Sequence, residues 1–419
     1  MRILWFTNTP SNASEEYNYK NFSGGWISSL ESLITEDKRY NLGICFFYSG
    51  KSLKKTARGN VVYYGMPIRI GNSLNRIKTR QFAYLNDEDA SFIDEVIADF
   101  KPDLIHVFGT ERGYGKVLMN RSEKIVFNLQ GLLGPITAVY FPLHFSRLKA
   151  LVGSKLNSIV RGTTVFHDFK MLKKKAVREK MIIRNWHYFI GRTDWDRNYI
   201  GLINPEAKYF HCDEMLRKEF FSTAWIQPSG VSKSEEIIIG TTINTNLFKG
   251  IDLIYRVLEL LPDYRIQWKV FGIKREDNIN KMVCKVLKIN PANINIDFHD
   301  QVGVDDLISQ LKTCHFFVHP SYIDNSSNSV CEAMLLGMPV LTSSVGGLKT
   351  LVKDRETGFL FNPYDKYDLA GLLVALINDY EKALDAGAAA RKIAANRHSS
   401  DAIMSRMDQI YRSILNDPS

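Results

Sequence analysis

The sequence is poor in cysteine. Its five cysteines, at positions 45, 212, 284, 314 and 331, are too scattered for a disulfide framework or a zinc-binding spacing. That usage points to a reducing compartment. Long apolar runs are also missing. No stretch approaches the roughly 18 residues of a membrane-spanning helix, and the apolar stretch within residues 1–6 is too short for a signal peptide. A soluble or peripheral protein is expected. No recognised nucleic-acid-binding module accompanies the positive charge, so nucleic acid is not an expected partner. What is present suits a globular protein: 419 residues, 45% of them hydrophobic, enough for two domains with sizeable cores.

The net charge of +9 is unevenly placed. Residues 141–180 hold ten Lys and Arg against only Asp168 and Glu179, nearly the whole excess. Phe141, Phe145, Leu148, Leu151, Val152, Leu156 and Ile159 are interleaved with them. Basic amphipathic segments suit an anionic membrane surface or a phosphate-bearing substrate. The alternative is a solvated helix pair with its apolar faces on the core.

Residues 315–347 concentrate the chemistry. Phe316, Phe317 and Val318 make a run long enough for a buried strand. His319-Pro320-Ser321 ends it, because proline cannot donate to a ladder. A polar loop comes next, Asp324-Asn325-Ser326-Ser327-Asn328-Ser329, in which Asn328 or Ser329 can cap a helix over 330–336. Gly337 and Pro339 close that helix. Residues 340–342 read as a second buried strand, and Gly346-Gly347 as a tight turn.

Strand, loop, helix and strand imply a mostly parallel sheet, whose ligands bind beyond the carboxyl ends of the strands. A helix N-terminus there offers free N–H groups and a positive dipole end to a phosphate. Asp324 and Glu332 flank it. Glu332, read as lying in the first helical turn, can reach a ribose hydroxyl. Asp324 faces whatever hangs beyond the phosphates.

This run resembles the signature of retaining glycosyltransferases of the GT-B fold, the "group 1" family (family 4). That signature is a Glu, seven residues and a second Glu, then Ala-Met-x-x-Gly-x-Pro-Val and Val-Gly-Gly. Glu332-Ala333-Met334, Gly337, Pro339-Val340 and Val345-Gly346-Gly347 match it. Asp324 replaces the first Glu and is one methylene shorter. Asn-Ser-Ser-Asn-Ser replaces the glycine-rich part of the loop. The resemblance implies an α/β architecture of two Rossmann-like domains facing across a cleft. It implies a nucleotide-sugar donor, UDP- or GDP-linked, as a substrate with no separate cofactor. It places Asp324 on the donor sugar and Glu332 on the ribose.

The flanking sequence extends the reading. Residues 2–6 form a first strand, and Gly24-Gly25-Trp26 opens a helix over 27–34. A glycine pair there lets a ligand approach the backbone; an ordinary loop reads equally well. The resemblance implies that this place meets the acceptor and the donor phosphates. Residues 50–60 and 72–80 read as loops. His106 lies within a strand and is either a core residue or a substrate contact. Thr110 and Glu111 come after it in a loop, better placed to touch a sugar hydroxyl.

Gln130 stands where many family members carry a His that contacts donor sugar or acceptor. Gln can hydrogen-bond but cannot act as acid or base. Arg192 can meet an anion. Thr193 and Asp194 read as a helix cap and first turn. Asp194-x-Asp196 could pass for the metal-binding pair of the other glycosyltransferase fold, a reading that the segment at 315–347 argues against. No metal is expected.

Residues 226–235 read as a linker. They separate an acceptor-side domain over 1–229, rejoined by a C-terminal helix at 401–419, from a nucleotide-sugar domain over 230–400. In the second, Lys249-Gly250 opens a helix over 251–261. A Lys at a helix start opposes the dipole at a cost of a few tenths of a kcal/mol, which an anionic partner would offset. The resemblance implies a Gly-Arg and a Lys-Gly on the donor diphosphate. Lys249 matches the Lys, but Thr241 or Thr242 stands in place of the Arg. Phe271-Gly272 begins the loop that borders the base pocket in the family, and the amides near Asn328 and Ser329 would meet the phosphates.

The expectation is a retaining, metal-independent hexosyltransferase acting on a glycan or lipid-linked acceptor in cell-surface polysaccharide synthesis. It would be cytoplasmic, or peripheral on the inner face of the membrane. A catalytically silent homologue, or a sugar-nucleotide epimerase of the same fold, is the alternative.

Overall fold

The computed structural model describes residues 1–19, 25–68, 73–82, 90–152, 156–228 and 230–418. The chain forms two compact units. The first comprises Met1–Thr137, His167–Met215 and His398–Ser419; the second comprises Ala138–Phe166 and Leu216–Arg397. The sequence boundary at 229/230 thus moves to 215/216, and residues 138–166 join the second unit. They do so because Phe145 is buried in that unit's core, with Phe141 and Val165 packed against it.

The first unit is an eight-stranded sheet. Its strands are β1 (Arg2–Phe6), β2 (Asn41–Tyr48), β3 (Lys54–Arg58), β4 (Val61–Pro67), β5 (Leu104–Phe108), β6 (Lys124–Asn128), β7 (Tyr188–Gly191) and β8 (Lys208–His211). They lie in the order β3-β4-β2-β1-β5-β6-β7-β8. Only β3 runs antiparallel to its neighbour. Residues 50–60, read as a loop, therefore contain a strand. Its lysines and arginine suit an exposed edge, where charge discourages further pairing. Residues 73–80, also read as a loop, belong to the helix Ser73–Phe82.

Successive residues of β1 serve opposite cores, as strand alternation requires. Ile3 and Trp5 pack with Ile403, Met407, Ile410 and Ile414 of the C-terminal helix Ser400–Leu415. Leu4 and Phe6 pack with Ile93, Val96 and Phe100 of the helix Ala90–Phe100 on the other face.

The second unit is a six-stranded, wholly parallel sheet. It contains β9 (Ile237–Thr242), β10 (Ile266–Phe271), β11 (Ile296–His299), β12 (Phe316–His319), β13 (Val340–Ser343) and β14 (Phe359–Phe361). The order is β11-β10-β9-β12-β13-β14. Relabelled by chain order, this is the doubly wound 3-2-1-4-5-6 arrangement, whose strand order reverses between β9 and β12. Loops leaving those two strands open at the topological switch point, where such sheets bind ligands.

The loop after β9 ends in a 3-10 turn, Leu247–Lys249, and Gly250 starts the helix Ile251–Leu258. Gly250 has φ +83°, and a Cβ on it would lie 2.1 Å from the Pro320 carbonyl oxygen. The two switch-point loops touch at this residue, and only glycine permits it. Gly250→Ala is expected to destabilise the second unit by about 2 kcal/mol or more. Faster hydrogen exchange across β9 and β12, with β1 and β5 unchanged, would show it.

Candidate active site

In the second unit the residues singled out from the sequence converge beyond β9 and β12. Asp324 lies in the loop after β12. Its Oδ2 accepts from Lys249 Nζ at 2.7 Å and from His319 Nε2 at 2.9 Å, while Oδ1 accepts from the Asn325 amide at 3.0 Å. Burial alone would raise the Asp324 carboxyl. The Lys249 ammonium and the His319 hydrogen bond outweigh it and hold the carboxyl well below the usual carboxylate range. Burial keeps the His319 imidazole below its ordinary value, so it is neutral near pH 7 and presents Nε2–H to the carboxylate. The loop backbone is fixed from below. The Gly347 amide donates to the Asp324 carbonyl at 3.1 Å, and Gly346 at φ +51° would place a Cβ 2.1 Å from the same oxygen.

The helix after this loop is Asn328–Leu336, with Ser327 as its N-cap. The cap therefore falls one residue before the Asn328 or Ser329 expected from sequence, and no side chain accepts a capping bond. Instead the Ser327 and Ser329 hydroxyls pair at 3.0 Å. Because the helix starts two residues earlier than expected, Glu332 lies in its second turn. Both oxygens of Glu332 are engaged by Arg217, whose Nε and Nη2 donate at 2.7 Å each. Around the carboxyl ends of β9, β12 and β13, several buried polar atoms have no hydrogen-bond partner among the described residues: Thr242 Oγ1, His319 Nδ1, Ser321 Oγ, Thr342 Oγ1 and Asn328 Oδ1. Buried polar atoms are ordinarily satisfied, so these atoms keep hydrogen-bonding capacity at the carboxyl ends of the strands.

Two expected donor contacts lie elsewhere. Thr241 is wholly buried; its hydroxyl donates to the Val318 carbonyl at 2.8 Å and accepts from Trp268 Nε1 at 2.8 Å. It is committed to the core because Thr241 pairs with Val270 inside the sheet. Phe271 is buried and stacks on His299 at 4.9 Å, so its ring is core and only its backbone borders the loop.

In the first unit, Gly25 is the N-cap of the helix Trp26–Glu36, and a Cβ on it would meet nothing within 4 Å. Gly24 lies outside the described residues. Trp26 Nε1 donates to Gln130 Oε1 at 3.2 Å, and the Arg192 guanidinium sits 4.2 Å above the Trp26 ring. Arg192 is buried, donates to Asn128 Oδ1 at 3.3 Å and lies 3.8 Å from Glu214. The arginine read as an anion contact is thus held within this unit by an aromatic face and a carboxylate.

Thr193 caps the helix Asp194–Ile203 as expected, and its partner is Asp196 in a reciprocal capping box. Asp196 is consumed by that role, which accounts for the Asp-x-Asp spacing without a metal. His106 is a core residue. Its Nδ1 pairs with the Tyr411 hydroxyl at 2.7 Å, its ring stacks on Phe108 at 4.1 Å, and burial brings its pKa down to about 3.

Thr110 and Glu111 do sit in the loop after β5, but Thr110 is turned to a buried acid. Its hydroxyl donates to Glu179 Oε2 at 2.6 Å, and the Gly134 amide donates to Glu179 Oε1 at 3.0 Å. Burial pushes the Glu179 carboxyl up to about 7. Burial raises the Glu111 carboxyl as well, and the Glu111 carbonyl accepts from Arg178 at 2.7 Å.

His319, Arg217 and Glu179 are the residues that sequence reasoning missed. His319 could have been found from its place at the carboxyl end of a buried strand. Arg217 offers no local signal, since its partner is 115 positions away.

Comparison with known proteins bears on what this arrangement is. A family model described as glycosyl transferases group 1 matches residues 224–393. Those residues are a group 1 glycosyltransferase domain. Among curated relatives, the capsular polysaccharide biosynthesis glycosyltransferase CapM of Staphylococcus aureus is 27% identical over 187 residues, covering 44% of this chain and 48% of CapM. The sulfoquinovosyl transferase SQD2 of Arabidopsis thaliana is 33% identical over 147 residues, 34% of this chain and 27% of SQD2. The chain thus spans about half or less of these relatives' length.

Solved structures align with nearly the whole chain. Sucrose-phosphate synthase from Thermosynechococcus elongatus aligns at TM-score 0.72 and 14% identity over 99% of both chains. HepE of Anabaena, in complex with UDP and glucose, aligns at TM-score 0.65 and 16% identity over 99% of this chain and 100% of its own. The fold is that of the GT-B glycosyltransferases.

The buried Glu179 gives a pH dependence. A carboxyl whose folded pKa exceeds its unfolded value favours the fold fully below about 4.5, and that contribution is lost as pH rises through about 7. Glu179→Gln removes the titration. Relative to that variant, the wild type is expected to lose stability between pH 4.5 and 7, by at most about 3 kcal/mol, and to run parallel to it above pH 8. Urea unfolding at a series of pH values measures the difference.

Proposed function

We propose that this group 1 glycosyltransferase transfers a sugar, with retention of configuration, from a nucleotide-sugar to a glycan or lipid-linked acceptor. The observation that carries the reading is the Lys249–Asp324–His319 cluster at the switch point of the second sheet, in the loop that leads into the helix of Glu332. The HepE neighbour holds UDP and glucose on a similar fold, and CapM acts in capsular polysaccharide biosynthesis by its name.

On this reading Glu332 takes the ribose. Lys249 and the free amides of the helix Asn328–Leu336 stabilise the diphosphate as negative charge develops on it, and these groups make the chemistry metal-independent. Asp324 holds Lys249 in place through Oδ2 and turns Oδ1 to the hydroxyls of the donor sugar. The first unit carries the acceptor-facing groups, Gly25, Glu111 and Gln130. Gln130 supplies a fixed hydrogen bond where other members have an ionisable His. Of the two departures from the motif, Thr for Arg leaves the diphosphate with one fewer cation and favours a weaker-binding donor, while Asp for Glu shortens the reach to the sugar by one methylene. A thermal-shift panel of UDP-, GDP-, ADP- and TDP-sugars without added metal tests this. One nucleotide is expected to stabilise the wild type, by about 2.7 kcal/mol at a hundred times its dissociation constant, and neither Lys249→Ala nor Glu332→Ala. Turnover that survives both substitutions would refute the assigned roles.

The reading includes peripheral attachment to the cytoplasmic face of a membrane. No helix among the described residues is long and apolar enough to cross one. Residues 138–166 contain no acidic residue, and Leu148 and Leu156 are 75% and 76% exposed beside Arg147 and Lys149. Exposed leucines among cations suit an anionic lipid surface. Further along, Lys173 and Lys174 are exposed on the helix Val165–Asn185. Leu148→Ser with Leu156→Ser, and separately Lys173→Ala with Lys174→Ala, are expected to weaken binding to phosphatidylglycerol vesicles, by about 1 kcal/mol per charge removed. Unchanged sedimentation with vesicles in both variants would remove the membrane from the reading.

A further inference from the structure

The first sheet has its own switch point, where the strand order reverses between β1 and β5. Most cations around it are answered from within the unit. Arg192 lies 3.8 Å from Glu214, Arg178 donates to the Glu111 carbonyl, and the Lys175 charge acts on the buried Glu111 carboxyl. Arg112, in the loop after β5, is different. Its Nε donates at 3.2 Å to Asn8 Oδ1, on the loop after β1, and its guanidinium sits 5.0 Å from the centre of the Phe47 ring in β2. It thus reaches over the carboxyl ends of three neighbouring strands, β5, β1 and β2. Those two contacts fix the half-buried guanidinium. They leave both Nη groups without an acceptor, and without a carboxylate in ion-pair range, among the described residues. The neighbouring Glu111 carboxyl is turned instead to Asn8 and the Gly131 amide.

A second set of donors belongs to the same end of the sheet. The helix Trp26–Glu36 follows the β1 loop, has Gly25 as an N-cap without a side-chain bond, and carries no acid in its first turn. The Ser28 and Ser29 amides turn back to the Gly25 carbonyl, whereas those of Trp26 and Ile27 have no acceptor among the described residues. Gln130 joins this helix start to the β5 loop. It accepts from Trp26 Nε1, and its Cγ lies 3.2 Å from where a Cβ on Gly109 would sit.

We infer that Arg112 anchors a phosphoryl group of the acceptor, so that the acceptor is a phosphate ester of a sugar or of a lipid. This rests on the reading above in which the first unit carries the acceptor-facing groups. A guanidinium held at Nε presents its two Nη groups as a parallel pair, a geometry that phosphate oxygens match. A carboxylate would be satisfied by that pair alone. A phosphoryl group has further terminal oxygens, and these suit the Trp26 and Ile27 amides and the positive end of their helix. Because Asn8 and Phe47 already hold the guanidinium in place, binding costs little ordering entropy there.

The test is equilibrium binding of glucose 6-phosphate and farnesyl phosphate, each against its alcohol, to the full chain carrying Lys249→Ala. That change removes the cation of the donor's own phosphate site, so phosphate held there drops out of the measurement. One of the two esters is expected to bind roughly ten- to a hundred-fold more tightly than its alcohol, the range set by hydrogen bonds to a charged group. Which one does so tells a sugar carrier from a lipid one. Adding Arg112→Gln is expected to bring that ratio close to one while the alcohol binds as before; Arg112→Lys, which keeps the charge without the fork, is expected to keep only part of it. A merely structural role would weaken ester and alcohol together. A ratio that survives Arg112→Gln, a parallel loss, or esters that bind no better than their alcohols would each overturn the inference. So would glucuronic acid binding as tightly as glucose 6-phosphate, since a carboxylate would then serve equally well. Arg112→Lys decides the matter if Arg112→Gln does not fold. UDP and GDP binding to the protein with Lys249 intact is measured alongside. Its absence would overturn the nucleotide-sugar reading, whereas loss of the ester preference alone overturns only the role of Arg112.

Discussion

One oxygen of Asp324 organises the second unit's site. It accepts a hydrogen bond from Lys249, on the loop after β9, and one from His319, at the end of β12. Two loops some 75 positions apart in the chain are thereby held within hydrogen-bond distance. Both side chains of the ion pair are mostly buried, and the carboxylate gains a third bond from the Asn325 amide. Half-buried ion pairs are costly unless their remaining valences are filled. The glycines on either side are a consequence of it. Gly250 lets the lysine-bearing loop lie against Pro320, and Gly346 lets the turn after β13 lie against the Asp324 carbonyl. A bulkier residue at either place would move one partner and loosen all three.

Cation and anion are arranged alike at the two acidic positions. Asp324 has Lys249 and His319; Glu332 has Arg217. Each carboxylate is paired with a cation brought from another element. The difference lies in the geometry. Lys249 is a point charge on a flexible stem and can be shared with a phosphate, whereas the Arg217 fork is committed to both oxygens of its partner. The first position is therefore suited to exchanging partners and the second to holding one still.

The sequence carried much of this. Strand limits in the second unit emerge from short apolar runs bounded by Gly and Pro, the 315–347 motif encodes a strand, a loop and a helix start that carry Asp324 and Glu332 in order, and the separate Lys249-Gly250 pair supplies the lysine that meets Asp324. Residues read singly fared worse. His106, Thr241 and Phe271 lie within strands of doubly wound sheets, where both faces are covered, so a polar or aromatic side chain there is absorbed by the core: His106 by Tyr411, Thr241 by Trp268, Phe271 by His299. Nothing local separates such a residue from one a step further on that faces a ligand. Arg217 shows the opposite limit, a residue in an unremarkable stretch whose importance depends on a partner more than a hundred positions away.

The first unit is assembled from three stretches of chain, and the last, His398–Ser419, brings Tyr411 to His106 and four apolar side chains to the face of β1. On the ribosome Leu30 and Ile34 of the helix Trp26–Glu36 can already pack on that face, but the part that the last helix covers stays open while the whole second unit is made. The second unit's stretches are complete by Arg397, so it can close first, reversing the usual order in which an amino-terminal domain folds ahead of its carboxyl-terminal neighbour. For the intervening time the nascent chain carries one half-covered apolar face, and its need for protection during synthesis is written into the position of one helix.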